Sequence, residues 1–315
     1  MIDAMQNQTT ASIPLLVIVG PTAVGKTALS IALAQALGGE IVSADSRQIY
    51  RGMDIGTAKP TPAERVAVPH HLLDIVAPNE EFSLALYQAQ AIAAITAIAA
   101  RNRLPLLVGG TGQYLAAVLE GWQIPQVPPQ PRLRAALERQ AERIGATALH
   151  ARLAQLDPAA AARILPTNVR RVIRALEVYA VTGQPLSAQQ RKQPPPFHLR
   201  TLWLTLPPAQ LYARIDARVD AMITAGLVEE VRSLVARDYG WELPAMSSLG
   251  YHEFQPYLAG EATLAQAVER LKFNTHGFAR RQPNWFRRLP QVVQLAADAP
   301  GLVDEAMAIA AELAE

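Results

Sequence analysis

The segment Gly20-Pro21-Thr22-Ala23-Val24-Gly25-Lys26-Thr27 fits the pattern G-x-x-x-x-G-K-[ST], and it narrows the fold more than any other stretch of the 315-residue chain. Before it, residues 14–20 (PLLVIVG) are apolar and β-branched, the texture of a buried strand. After it, apolar residues recur at helical spacing over 26–37 until Gly38-Gly39 stops them. A strand, a glycine loop and a helix in that order curl consecutive backbone N–H groups around phosphate oxygens. The helix start adds the positive end of its dipole. Lys26 supplies a compact charge for the terminal phosphate, and the Thr27 hydroxyl is a ligand for Mg²⁺. The pattern predicts a diphosphate or triphosphate held with Mg²⁺; it does not specify ATP.

The chain continues in alternation. Short strands are expected at 40–44, 72–76 and 104–108, with a helix over 83–103 capped by Ser83. Gly109-Gly110-Thr111-Gly112 follows the last of these strands. Strands alternating with helices build a parallel sheet. Then proline clusters appear at 124–131 and 193–197, with only helical patterns between them. A strand over 199–206, helices over 207–237 and 261–279, a strand over 292–295 and a helix over 301–315 complete the chain, with a break at Gly226. The expected fold is α/β, a P-loop parallel-sheet core with an all-helical insertion domain. The core is expected at 1–123 and 197–315, and the insertion at 124–196.

Composition removes whole classes of chemistry. The chain has no cysteine, which excludes thiol catalysis, disulfides and cysteine-bound metals. A net charge of +2 is no polycation, so any affinity for nucleic acid must come from clustered charge. The first twelve residues lack the basic and apolar regions of a signal peptide, and no apolar run approaches the roughly 20 residues that span a bilayer. A cytoplasmic location is the resulting expectation.

Phosphate-loop hydrolases also place an acid at the end of an apolar strand. The candidate is Asp45, but the Ser46-Arg47-Gln48 that follows is unusual for that role. Asp45 at a strand end suits a general base, a helix N-cap or a structural ion pair. Basic residues cluster twice. Arg170, Arg171 and Arg174 lie within five positions, and Lys272, Arg280, Arg281, Arg287 and Arg288 are interleaved with Phe273, Phe278, Trp285 and Phe286. Such clusters grip RNA phosphates and stack splayed bases, or they are solvated helix faces with core aromatics.

The motifs then accumulate: GPTAVGKT at 20–27, ADSRQIYRGMDIGTAKP at 44–60, HHLLDI at 70–75, GGTGQYL at 109–115, NVRRVIRALEVY at 168–179, RIDARVDAM at 214–222, EEV at 229–231, SLGYHEF at 248–254 and ARRQPNWFRR at 279–288. In this order the chain resembles the tRNA dimethylallyltransferases, and the absence of cysteine fits the bacterial type without a zinc finger. The resemblance implies transfer of a dimethylallyl group from dimethylallyl diphosphate to N6 of the adenosine 3′ to the tRNA anticodon. It implies that the phosphate loop holds the leaving diphosphate and that the insertion grips the anticodon stem-loop.

It further implies Asp45 as general base, with Arg218 and Thr111 acting on the diphosphate. Without it, Thr111 is equally a turn residue and Arg218 a solvated one. The implied tRNA contacts are Asp45, Ser46, Arg47, Gln48, Thr111, Arg134, Arg170, Arg171, Val172, Ile173, Arg174, Gly250 and Arg281. A glutamine amide offers both donor and acceptor to an adenine edge, which suits Gln48. Arg134 is followed by Glu138 and Glu142, so a salt-bridged surface is its alternative. Val24 stands where the family often has serine, and His252 where it has lysine or arginine, so a pH-sensitive RNA contact is expected there. Pro283 should end the helix before it. The competing functions are prenylation of free AMP, ADP or ATP, NTP hydrolysis or phosphoryl transfer, and non-catalytic RNA binding. Nothing in the sequence demands more than a monomer.

Overall fold

The computed structural model describes residues 12–313. Most of the N-terminal stretch read against a signal peptide, and the last two residues of the helix expected over 301–315, lie outside them. The chain divides into two compact units, Met1–Leu119 with Pro195–Glu315, and Glu120–Pro194.

The larger unit is built on six parallel strands: β1 Ile13–Val19, β2 Glu40–Ser43, β3 His70–His71, β4 Pro105–Gly109, β5 Phe197–Thr205 and β6 Val292–Ala296. Their order across the sheet is β3-β2-β4-β1-β5-β6. Alternation along each strand feeds both faces. Leu16 and Ile18 of β1 join Leu106 of β4 and Leu202 and Leu204 of β5 under the helices Lys26–Leu37, Pro208–Thr224 and Leu302–Ala311. Leu15, Val17 and Val19 turn the other way, onto Leu107, Trp203 and the helices Leu84–Ala99 and Gly112–Leu119. A third core joins Ile49, Tyr50 and Met53 to the helices Leu227–Val235 and Leu264–Arg281. Among the described residues no helix is long and apolar enough to cross a membrane.

Ser83 does cap its helix, accepting the Leu86 N–H at 3.2 Å. Pro283 does interrupt: one helix ends at Arg281 and a single turn begins at Pro283. The expected strand at 72–76 is a correction. The strand is His70–His71, and Leu72 and Asp74 then take left-handed φ values of 63° and 56°. The turn presents the Asp74 carboxylate to Lys59 at 2.6 Å and to Arg65 at 2.7 Å. Two cations compete better for this segment than a sheet edge does.

The smaller unit is helical, with helices Pro131–Ile144, Ala146–Leu156, Pro158–Ala161, Val169–Thr182 and Leu186–Gln189. Leu137, Leu149, Leu153, Val172, Ile173 and Leu176 form its core. Asp157 is buried and accepts from Ala160 N, Ser187 N and Ser187 Oγ. Glu177 is fully buried and accepts from Gln130 N, from Arg134 Nε and Nη2, and from Arg174 Nη1, all within 2.6–2.9 Å. Burial pushes its carboxyl up, but hydrogen bonds from Arg134 and Arg174 outweigh that and bring it down to about 2.

Candidate active site

Three loops leave the carboxyl ends of adjacent strands and line one cavity of about 680 Å³ in the larger unit. They are the phosphate loop after β1, which reaches the cavity at Thr22, residues 45–47 after β2, and residues 110–112 after β4. Parallel α/β sheets place ligand sites at this edge because every strand delivers a loop to it.

The phosphate loop is closed on itself. Gly25, at φ 109°, is the N-cap of helix Lys26–Leu37, a conformation open to glycine. Lys26 Nζ donates to the carbonyls of Gly20 and Pro21, each at 2.9 Å. Burial lowers the Lys26 ammonium from the usual lysine range to about 8; nearby Asp45 opposes the shift and nearby Arg218 adds to it. An arriving diphosphate would replace the two carbonyls with full charges. Val24 is 1% exposed and packs in the core, so replacing serine there leaves the backbone cradle intact.

Asp45 follows β2 and lines the cavity, its Oδ1 accepting the Arg47 N–H at 2.9 Å. The residues after it turn without forming a helix, so it is no helix N-cap. Thr111 is tied to it through Ser46: Thr111 Oγ1 accepts Ser46 N at 3.0 Å and lies 3.3 Å from Ser46 Oγ. Arg218 reaches the same cavity from helix Pro208–Thr224, and burial lowers its guanidinium from the ordinary arginine range. Guanidinium still holds its charge there, since its ordinary pKa lies far above neutrality. The cavity thus sets the Arg218 guanidinium, the Asp45 carboxylate and the Thr111 hydroxyl beside an apolar wall of Ile215, Val219, Met222, Leu249 and Leu271.

Among the described residues no cluster of three or more histidine, aspartate or glutamate side chains could cage a metal. Mg²⁺ needs no such cage, because it is held by one or two protein oxygens and the phosphates of its substrate. The Thr27 hydroxyl at the loop suits that donor set.

The IPP transferase family model matches residues 48–289, and the isopentenyl transferase model matches residues 13–74. The chain belongs to the IPP transferase family. A tRNA dimethylallyltransferase of Roseiflexus sp. (strain RS-1) is 69% identical over 94% of this chain and 97% of its own length. One from Chloroflexus aggregans is 64% identical over 91% and 97%. The crystal structure of the full-length tRNA isopentenylpyrophosphate transferase from Bacillus halodurans superposes with a TM-score of 0.72, at 42% identity, covering 96% of this chain and 97% of that one. A eukaryotic dimethylallyltransferase acting on tRNA gives a TM-score of 0.77 at 30% identity, with 91% of this chain and 74% of that one covered.

Within this family fold, several residues expected at the RNA have other work. The Gln48 amide is spent on the protein: Oε1 accepts from Ser43 Oγ, and Nε2 donates to the carbonyls of Thr57 and Ala58, each at 3.2 Å. Both N–H groups are committed to backbone, and Oε1 keeps one free lone pair at most. Val172 and Ile173 are core side chains, 0% and 4% exposed, so neither side chain is offered to RNA. Arg134 and Arg174 both hold Glu177, an acid that lies 43 positions from Arg134. Arg170 and Arg171, by contrast, are exposed. In the second cluster Lys272 pairs with Asp220 and Phe286 is fully buried. Arg280, Arg281, Phe278 and Trp285 line the cavity with Phe273, which is 69% exposed. Arg47 also lines it and donates through Nη1 to the Pro244 carbonyl at 2.7 Å. Gly250 contributes backbone at φ 90°, where a Cβ would stand 3.1 Å from the Gly56 carbonyl. His252 is exposed at the start of a short 3₁₀ turn.

Three residues carry the site without having been singled out. Glu230 accepts the N–H groups of Asp54, Ile55 and Gly56 and the Tyr251 hydroxyl, fixing the loop that brings Gly56 and Thr57 to the cavity. Lys59 is buried and bonds the Tyr50 carbonyl, Asp54 and Asp74. Gln282 is 4% exposed and joins the phosphate loop to the Gly110 turn. The only local signal for Gln282 is a polar residue where Pro283 forces the helix to stop.

Proposed function

We propose that the protein transfers a dimethylallyl group from dimethylallyl diphosphate to N6 of the adenosine 3′-adjacent to the anticodon of tRNA and releases diphosphate. The observation that carries this reading is one cavity shared by Asp45, Arg218 and the phosphate loop. The exocyclic amine is a weak nucleophile because its lone pair is delocalised into the ring. As the N6–C1 bond forms, the C1–O bond breaks and its electron pair leaves with the diphosphate. Lys26, Arg218 and the loop N–H groups stabilise that charge. Asp45 accepts the proton lost from N6. Thr111 meets the bridging oxygen in this reading. When bound, Mg²⁺ would neutralise phosphate charge beside the Thr27 hydroxyl.

The target base must leave its stack to enter a cavity, and an anticodon loop makes that inexpensive. Arg170 and Arg171 on the helical insertion, and Arg280 and Arg281 at the cavity, supply cations for the RNA backbone. Cytoplasmic residence and a monomeric working form are part of the proposal, since one chain supplies every group named.

The test is transfer of radiolabel from dimethylallyl diphosphate to undermodified tRNA, to an anticodon stem-loop with adenosines 3′ of the anticodon, and to AMP. Label in both RNAs and none in AMP is expected. Label in AMP alone moves the function to free-nucleotide prenylation. No label in any acceptor, with rapid NTP turnover, would return the loop to NTP chemistry.

A further inference from the structure

Gln282 stands between helix Leu264–Arg281 and the single turn Pro283–Phe286, with its side chain buried between two substrate loops. Its Oε1 accepts the backbone N–H of Thr22 in the phosphate loop at 3.0 Å. Its Nε2 donates to the Gly110 carbonyl at 3.0 Å. The partners dictate the amide orientation: an N–H requires oxygen and a carbonyl requires a donor. Contact is close, since a Cβ on Gly110 would lie 2.5 Å from Nε2. Beyond Gly110 the linkage continues, as Thr111 N donates to the Ala44 carbonyl at 3.1 Å and Thr111 Oγ1 accepts from Ser46 N. One polar chain therefore runs from the diphosphate cradle to the residues on either side of Asp45.

We propose that Gln282 is a positioning residue that sets the spacing between the phosphate loop and the Asp45–Thr111 pair. This rests on the transfer reaction proposed above and deepens it. In that reaction the loop holds the leaving group while Asp45 meets the attacking amine. Nucleophile, carbon and leaving oxygen must line up with reacting atoms about 3–3.5 Å apart, and an ångström of error costs roughly 100-fold in rate. Without the clasp, the part-buried Thr22 N–H and the buried Gly110 carbonyl each lose their partner, and the two loops lose their common reference. Leucine fills the volume but makes neither bond. Glutamate still accepts from Thr22 N, but when ionised it sets an oxygen against the Gly110 carbonyl.

The experiment compares wild type, Q282L and Q282E in three measurements. These are the single-turnover rate at saturating dimethylallyl diphosphate and tRNA, tRNA affinity by fluorescence anisotropy, and the affinity for inorganic pyrophosphate by calorimetry. Q282L is expected to slow the chemical step by about 10- to 100-fold, to keep tRNA affinity within about twofold, and to weaken pyrophosphate several-fold. For Q282E, the rate relative to wild type is expected to rise as pH falls from 8 to 6. Burial raises a carboxyl pKa, and the protonated form regains the donor to Gly110. A wild-type rate in Q282L, or a Q282E ratio independent of pH, would overturn the proposal. Should Q282L fail to fold, the Q282E profile decides alone. If wild type transfers no label to tRNA, the reaction assignment fails separately. Pyrophosphate affinity then judges the clasp: weakened in Q282L supports it, unchanged overturns it.

Discussion

A lysine that titrates near pH 8 at the phosphate loop makes donor binding pH-dependent in a range where lysine is ordinarily inert. Burial lowers Lys26 to about 8, with Asp45 opposing and Arg218 adding. An anion binds the charged form, so binding raises the pKa and takes up a proton. At a pKa of about 8 the ammonium is roughly 90% charged at pH 7, about half charged at pH 8 and roughly 10% charged at pH 9. Affinity for dimethylallyl diphosphate should therefore fall about tenfold between pH 7 and pH 9. Proton uptake should climb from roughly 0.1 to roughly 0.9 per site over the same range. Calorimetry without tRNA, in buffers of different ionisation heat, measures both quantities. Arginine stays charged throughout, so K26R in parallel isolates the lysine from the titration of the ligand. A wild-type affinity that stays flat to pH 9, or one that falls equally in K26R, would refute the reasoning.

Asp45→Ala should lower turnover by about 10²–10⁴-fold while tRNA affinity stays near wild type, read by single-turnover kinetics and anisotropy; an unchanged rate removes Asp45 from proton transfer. Arg170→Ala with Arg171→Ala should weaken tRNA binding and reduce the slope of log affinity against log salt by up to about two. An unchanged slope would show that these exposed side chains miss the phosphates. Glu177→Gln should destabilise the helical unit by about 2–3 kcal/mol at pH 7, the value of a shift from 4.5 to about 2 reduced for the partly exposed arginines. The sign follows from a lowered carboxyl pKa: the stabilisation is complete above pH 4.5 and disappears as pH falls toward 2, so urea melts of mutant and wild type should converge in acid.

Local chemistry made the core of this fold legible in the sequence. Apolar runs before glycine loops mark buried strands, Ser83 marks a helix start, and Gly20–Thr27 has the spacing of a phosphate cradle. Asp45 at a strand end, and Thr111 after Gly109-Gly110, follow from the same rule, because a parallel sheet presents those ends together. None of this requires knowing what lies across the molecule.

Which polar groups are already committed was decided only by tertiary structure. Gln48 looks suited to an adenine until Ser43, Thr57 and Ala58 occupy its amide. Arg174 looks suited to RNA until Glu177 is found buried against it. Lys59 is buried and held by two aspartates, Asp54 and Asp74. Gln282 meets Thr22 from 260 positions away. Strand and helix periods repeat every few residues and are written in the neighbours of each residue. Hydrogen bonds between distant loops depend on where the whole chain places two atoms. A buried polar group must find its partner wherever the fold puts one, and sequence distance carries no trace of that choice.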